Sequence, residues 1–120
     1  MRKKRIQVHV GTRQEMGRRF IEAWKKIERG EKVREEHLTF PDLETLLSAL
    51  SPKRLELLRE VHREPARSVR ALAKRVKRDY KRVHEDVETL AELGLLKREG
   101  SSVATAYDVI RADLDLRSAA

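Results

Sequence analysis

Between Ser68 and Gly94 the apolar positions follow two successive helical repeats. In the first repeat they recur at i, i+3, i+4 and i+7, and in the second they again fall on one helix face. These positions are Val69, Leu72, Ala73 and Val76, followed by Val83, Val87, Leu90 and Ala91. Ser68 and Asp79 are suitable N-caps, and Gly94 is suited to a left-handed residue after the second helix. The pattern predicts two short helices with a break near residues 77–79.

Two further helices are predicted upstream of this pair. One runs from Pro52 to about residue 62, because Ser51 can cap it and Pro is tolerated at a first helical position. Its inward positions are predicted to be Leu55, Leu58 and Val61. A shorter helix precedes it, with a capping-box pattern at Thr39 and Asp42. The apolar face of that helix is predicted to hold Leu43, Leu46, Leu47 and Leu50.

Shorter patterns lie at the two ends of the chain. Alternation over residues 6–10 predicts a strand, residues 37–40 predict a second strand, and a helix is predicted between Thr12 and Gly30. The buried stripe of that helix includes Phe20, Trp24 and Ile27. Near the C-terminus, residues 97–98 and 103–107 flank turn-forming residues and predict a β-hairpin. A last apolar, strand-like segment follows, with Val109, Ile110, Leu114 and Leu116.

Composition and charge point to a polyanionic partner. The 120 residues include 28 Lys or Arg against 20 Asp or Glu, a net charge of +8 with a pI near 10.1. From residue 67 to residue 82 we count eight basic residues and one acidic residue, Asp79. Such a concentration favours nucleic acid over an anionic membrane. Hydrophobic residues make up only 39% of the chain, which suggests either a small helical core under a charged shell or an apolar surface completed by a second copy. We expect a homodimer.

Enzymatic and metal-binding interpretations find little support. The four histidines, at positions 9, 37, 62 and 84, lack metal-ligand spacing, and the chain has no cysteine and no glycine-rich phosphate loop. We therefore expect no catalytic activity, no cofactor and no metal site. Because no signal peptide or long apolar run is present, we expect a cytoplasmic protein that does not bind a membrane.

The predicted order is helix, helix, basic turn, helix and hairpin, and the last helix ends in residues 88–96 (ETLAELGLL). This arrangement resembles the winged helix-turn-helix of prokaryotic MarR- and ArsR-type regulators. More narrowly, four stretches resemble a group of small archaeal and bacterial DNA-binding proteins. These are TFPDL at residues 39–43, PKRLELL at 52–58, RDYKRVH at 78–84 and Tyr107-Asp108. Members of that group are described as MarR-like regulators, and some as antitoxin-like partners of a neighbouring toxin. The resemblance covers roughly residues 39–107.

The resemblance implies a mainly α fold with a small β component. We expect a strand-helix-strand extension over residues 1–40 and a winged helix-turn-helix domain over residues 41–120. The implied function is that of a dimeric, sequence-specific regulator of transcription that binds double-stranded DNA, most simply a repressor. The alternative is an antitoxin that neutralises a partner toxin and regulates its own operon.

Because a recognition helix presents its first turns to the major groove, residues in three roles can be assigned. The residues predicted to contact base edges are Tyr80, Lys81, His84 and Glu85. The residues predicted to contact the DNA backbone are Arg70, Lys74, Lys77, Arg78, Arg82 and Arg98. Two apolar surfaces are predicted to form the dimer interface: Phe20, Trp24 and Ile27 of the N-terminal helix, which we expect to contribute more, and Ile110 and Leu114 of the C-terminal segment. Glu85 and Asp86 stand where many similar proteins carry neutral or basic residues. Glu85 can either accept a hydrogen bond from a cytosine amino group or repel phosphate.

Overall fold

A computed structural model describes residues 4–11 and 36–114 of the chain. Within these ranges the protein is a mixed α/β molecule with four helices and five short strands. In chain order these are β1 Arg5–Val10, β2 Glu36–Phe40, α1 Leu43–Ala49, α2 Pro52–Arg63, α3 Val69–Val76, α4 Tyr80–Glu92, β3 Lys97–Glu99, β4 Ser102–Ala104 and β5 Val109–Ala112. The helix predicted between Thr12 and Gly30 lies outside the described residues.

The chain divides into two compact units. Of the described residues, residue 4 and residues 47–108 belong to a helical unit, and residues 5–11, 36–46 and 109–114 belong to a sheet unit. None of the helices in the described ranges has the length and the apolar character that crossing a membrane requires.

The sheet unit contains a three-stranded parallel sheet in the order β2-β1-β5. Val8 of β1 lies opposite Leu38 of β2 and Ala112 of β5. Ile6 and Val8 are buried, while Arg5 and Gln7, which alternate with them, are exposed or half-buried, as expected for a strand with one apolar face. The two strands predicted near residues 6–10 and 37–40 are confirmed, and the strand-like segment after Asp108 is the third member of the same sheet.

The cap and the apolar face of α1 differ from the prediction. Asp42, and not Thr39, caps this helix, because Asp42 Oδ1 accepts hydrogen bonds from the Thr45 backbone N–H and hydroxyl, both at 2.7 Å. Thr39 instead belongs to β2. The four-leucine inward face is also wrong in part, since Leu43 and Leu47 are 41% and 61% exposed. In a seven-residue helix the apolar spacing identified the helix but not which of its leucines find a neighbour.

The three helices of the helical unit begin where their capping residues predict. Ser51 Oγ accepts from Arg54 N at 3.3 Å, Ser68 Oγ accepts from Ala71 N at 3.0 Å, and Asp79 accepts from Arg82 N at 3.2 Å. Each bond satisfies one backbone N–H that the helix itself leaves unpaired. The predicted starts of α2, α3 and α4 are therefore confirmed.

The core of the helical unit lies where α2, α3 and α4 pack against one another and where α2 packs against β4. The largest fully buried side chains of this unit come from all three helices, the connection after α4 and β4. They are Leu57, Val61, Leu72, Val83, Val87, Leu90, Leu95 and Val103. Leu57 was not among the predicted inward residues of α2, whereas the predicted Leu55 is only half-buried. Burial of the 83, 87 and 90 stripe fixes the rotation of α4 about its own axis.

Two helices of this unit end in the same backbone motif with different residues. After α4, Gly94 has φ of 80°, and its N–H and that of Leu95 donate to Ala91 O and Leu90 O. After α3, Lys77 has φ of 56° and makes the equivalent bond to Lys74 O, while the next N–H donates to Ala73 O. Both are Schellman motifs, which glycine normally occupies at the left-handed position. The predicted break at residues 77–79 and the role of Gly94 are confirmed.

The β-hairpin predicted after Gly94 is confirmed, with a shorter return strand. β3 and β4 are antiparallel, with Glu99 opposite Ser102, and Gly100 takes φ of 60° in the turn. Val103 also exchanges backbone hydrogen bonds of 2.9 and 2.8 Å with Ala66, in the connection between α2 and α3. The hairpin is therefore attached to the helices through the backbone as well as through its apolar side chains.

The Asp42 cap predicts a pH-dependent contribution to stability. The hydrogen bonds from Thr45, the hydroxyl first and the backbone N–H second, lower the pKa of the Asp42 carboxyl below its ordinary value of 3.8. The stabilisation is therefore present above that ordinary value and is lost as the pH falls through the lowered pKa of the folded state. We expect Asp42→Ala to lower the free energy of unfolding at neutral pH and to make little difference in strong acid. Chemical denaturation across the acid range measures this.

Asp42→Asn is the matched control, because asparagine caps helices as well as aspartate but does not titrate. It should keep the stability at neutral pH and remove the pH dependence that belongs to this position. An alanine variant as stable as the wild type at neutral pH would contradict the assignment of the cap.

Candidate nucleic-acid interface

The first two turns of α4 carry an exposed polar face. Because Val83 and Val87 are fully buried, the residues on the other side of the helix turn outward. Tyr80, Lys81 and Glu85 are exposed and His84 is half-buried. The four residues predicted to contact base edges therefore share one accessible face. That they contact bases stays a prediction.

An arginine and two aromatic rings form a row at the start of this face. The Arg70 guanidinium of α3 lies over the Tyr80 ring, 4.7 Å from its centroid. The Tyr80 and His84 rings are 5.8 Å apart and tilted. A guanidinium over an aromatic face is attracted by the ring quadrupole, which favours one orientation of both side chains. The row therefore brings Arg70, a predicted backbone contact, beside two predicted base contacts.

Exposed cations surround the aromatic row on α3, on the turn and on α4. They are Arg70, Lys74, Lys77, Lys81 and Arg82. Among residues 4–11 and 36–114, no carboxylate oxygen lies within the 4.0 Å ion-pair distance of any of these five side chains. Their charge is thus not neutralised within the described part of the molecule. Such a set attracts a polyanion through the field that its members share.

Two of the predicted backbone contacts are instead held by carboxylates. Arg78 is only 15% exposed, and its Nη2 lies 2.8 Å from Asp86 Oδ2. Arg98 of β3 donates through Nη1 to Glu88 Oε1 at 3.0 Å. Each guanidinium therefore has a structural partner, and a contact of either residue with phosphate stays a prediction. Arg78 holds the turn against α4, and Arg98 holds the hairpin against α4.

Asp86 is the centre of a larger ion network. Its other oxygen, Oδ1, accepts from Arg54 Nε at 3.1 Å, and its side chain is 16% exposed. Arg54 Nη1 also donates to the carbonyls of Ser48 and Ala49, at 3.1 Å each. One carboxylate therefore connects α4, the turn before it, the first turn of α2 and the last carbonyls of α1. Sequence reasoning missed Arg54 and Asp86 in these roles, because their 32-residue separation leaves no local spacing to recognise.

The predicted dimer residues fall in three places. Phe20, Trp24 and Ile27 lie outside the described residues. Ile110 is half-buried in β5, opposite Ile6 of the same chain, so part of its apolar surface is already covered within the sheet unit. Leu114 is 60% exposed. The dimer interface stays a prediction.

No group of three His, Asp or Glu side chains among the described residues could hold a metal ion. Among the described residues, Arg5, Ile6, Gln7 and Arg111 of the sheet unit line a small cavity of about 20 Å³. That is roughly the room one water molecule needs, so it is no substrate pocket.

Comparison with protein-family models gives one match, to the HVO_A0114 model over residues 49–112, just over half of the 120 residues. The chain belongs to the HVO_A0114 family. The matched segment contains α2, α3, α4 and both hairpin strands, and so every residue of the face described above. Neither the curated proteins nor the solved structures compared with the chain gave a match. The family name states no ligand or reaction, so any functional argument has to rest on the exposed face of α4 and the cations around it.

Asp86→Asn keeps the size of the side chain and removes its charge, and we expect it to lower the stability of the protein substantially. In Asp86→Asn two guanidiniums would share one amide oxygen in a largely buried site. Removing one partner of such a network leaves charge uncompensated, and we expect a loss of about 2 to 3 kcal/mol. Urea denaturation measures the free energy of unfolding.

Glu92→Gln is the control, because it removes a charge from an exposed position of the same helix. It should stay within about 0.5 kcal/mol of the wild type. Equal stabilities of the Asp86 variant and this control would show that the network contributes nothing net.

Replacing Lys77 by glycine should raise stability and remove a surface cation at once. A side chain in the left-handed region raises the free energy of the folded state by about 1 to 2 kcal/mol. Glycine removes this cost, but it also gives the unfolded chain more conformational entropy, which offsets part of the gain in stability. We therefore expect Lys77→Gly to increase the free energy of unfolding by about 0.5 to 1 kcal/mol and, given the DNA contact that the sequence predicts for Lys77, to weaken binding to duplex DNA.

Lys77→Ala separates the two effects, because alanine keeps the backbone cost and removes the charge. It should match the wild type in stability and the glycine variant in DNA binding. A glycine variant that binds duplex as tightly as the wild type would contradict a role for the Lys77 charge.

Proposed function

We propose that residues 52–104 form a winged helix-turn-helix that binds double-stranded DNA, with α4 as its recognition helix. The observation that carries the proposal is the exposed face at the start of α4, surrounded by five cations without a carboxylate partner among the described residues. DNA presents a phosphate charge about every 1.7 Å of its axis, so a field of this sign and size suits it. The order of three helices and a hairpin is consistent with the motif.

In this proposal the residues act at two levels. Arg70, Lys74, Lys77 and Arg82 bind phosphates and set the register of the helix on the duplex. Such contacts supply affinity but do not read sequence. Tyr80, Lys81, His84 and Glu85 face the base edges of the major groove, where each base pair presents a distinct pattern of donors and acceptors. The hairpin, held by Arg98 and Glu88, lies along the backbone or the minor groove.

The resemblance to MarR- and ArsR-type regulators supports a role in transcription, with repression as the simplest mode. Two copies would place two recognition helices about one DNA turn apart, roughly 34 Å, which a single small domain cannot do. The antitoxin alternative rests on the resemblance alone. DNA binding is common to both alternatives, and it is the property to test first.

The test compares two double variants that lose the same charge from different surfaces. Lys81→Gln with Arg82→Gln alters the proposed face, whereas Lys53→Gln with Arg59→Gln alters exposed positions of α2. Affinity for duplex DNA is measured by fluorescence anisotropy from about 50 to 200 mM salt. If the wild type makes 6 to 10 phosphate contacts, its affinity should fall by about 10³ to 10⁵ over this range. The α4 variant should bind more weakly, with a salt slope shallower by about 1 to 2.

The α2 variant should keep the affinity and slope of the wild type, apart from a small general effect of net charge. A wild-type affinity that does not respond to salt would contradict DNA binding through this face. Equal losses in the two double variants would show that total charge, and not the α4 surface, determines the affinity.

A further inference from the structure

Glu85 is an exposed carboxylate within a cationic surface. Lys81 and Arg82 precede it by four and three positions, which places all three on neighbouring parts of the α4 surface. Yet among the described residues no cation lies within 4.0 Å of the Glu85 carboxylate. A lysine four residues before a glutamate is the weaker order for a helical ion pair, because the reverse order agrees better with the helix dipole. Glu85 is therefore available to an external donor.

The two carboxylates that follow on α4 behave differently. Asp86 is held by two arginines, and Glu88 is held by Arg98. Their charge is compensated within the molecule and serves to position other elements. The Glu85 side chain is exposed, because it lies on the side of α4 opposite the buried Val83 and Val87.

On a surface that binds phosphate, an uncompensated carboxylate is unfavourable unless it meets a hydrogen-bond donor. An ionised carboxylate can only accept hydrogen bonds. In the major groove two bases offer donors, cytosine through N4 and adenine through N6. The adenine donor stands between two acceptors, its own N7 and O4 of the paired thymine, which repel a carboxylate, whereas the cytosine amino group has an acceptor on one side only, O6 of the paired guanine. The complementary base for Glu85 is therefore cytosine.

We propose that Glu85 selects a cytosine in each half-site of the DNA and is thus a residue that determines specificity. This inference rests on the proposed function. Lys81, one turn earlier on the same face, offers donors that suit O6 and N7 of guanine. A C·G pair or two adjacent G·C pairs in the half-site would satisfy both side chains. The carboxylate then excludes guanine and thymine, whose major-groove atoms at this position are acceptors.

The experiment is selection of bound duplexes from a randomised DNA library, with the full-length chain and sequencing of the enriched pool. The wild type should enrich cytosine at one position per half-site. Glu85→Gln should lose that preference and favour adenine there, because glutamine pairs in bidentate fashion with N6 and N7 of adenine. Measured on single duplexes, the ratio of cytosine to adenine affinity should change by about 5- to 150-fold.

Glu92→Gln is the matched control, since it removes the same charge from the exposed C-terminal end of α4. It should enrich the same sequences as the wild type. Circular dichroism of the variants verifies that each is folded, which is expected because both positions are exposed.

Two outcomes overturn the inference while leaving DNA binding intact. In one, Glu85→Gln enriches the same sequences as the wild type. In the other, both glutamine variants bind all duplexes more tightly to the same extent, which would make Glu85 a repulsive charge only. A wild type that binds no duplex at low salt instead overturns the proposed function itself, so the two failures are distinguishable.

Discussion

The carboxylate of Asp86 makes the contacts on which the geometry of the helical unit most depends. It receives Arg54 on one oxygen and Arg78 on the other, and Arg54 continues to the last carbonyls of α1. Apolar packing alone is nearly non-directional, so it can bury the stripe of α4 without fixing the turn before it. Two charged hydrogen bonds with defined geometry supply that direction. The side chains that begin α4 are presented from a turn that Arg78 holds in place.

The same turn contains a residue, Lys77, whose backbone conformation is unfavourable for a side chain. Lys77 occupies a left-handed position for which Gly94, in the equivalent motif after α4, shows the unstrained solution. Retaining a lysine there is unfavourable for the backbone but adds a cation between α3 and α4. Strained residues of this kind cluster where function requires a particular side chain. The position of Lys77 beside an exposed face with cations and aromatic rings agrees with the proposal that this face binds DNA.

Capping residues and apolar periodicity predicted the described helices and strands well. They could not predict which residues distant in the sequence pair with each other. Ser51, Ser68, Asp79 and Gly94 each act within a few residues of their partners, so their roles follow from the sequence directly. The basic run predicts Arg78 as a phosphate contact, but its pairing with Asp86, eight residues further along the chain, leaves no local spacing to recognise. For the same reason the apolar spacing of α1 could not tell buried Leu46 from exposed Leu47. Periodicity gives a helix its faces, and tertiary contacts decide which face is covered.

Glu85 and Asp86 are neighbours in the sequence but have different roles: Asp86 pairs with arginines of the same chain, and Glu85 is a proposed base contact. The two carboxylates are adjacent in sequence, but one helical step of about 100° turns one inward to two arginines and the other outward among cations. Burial of Val83, Val87 and Leu90 sets that rotation, so the apolar stripe determines the chemistry of both acidic residues. Had α4 been rotated so that Glu85 took the place of Asp86, Glu85 would have faced the arginines and Asp86 would have taken the buried place of Val87. The proposed specificity of the surface is thus a consequence of how its opposite side is packed.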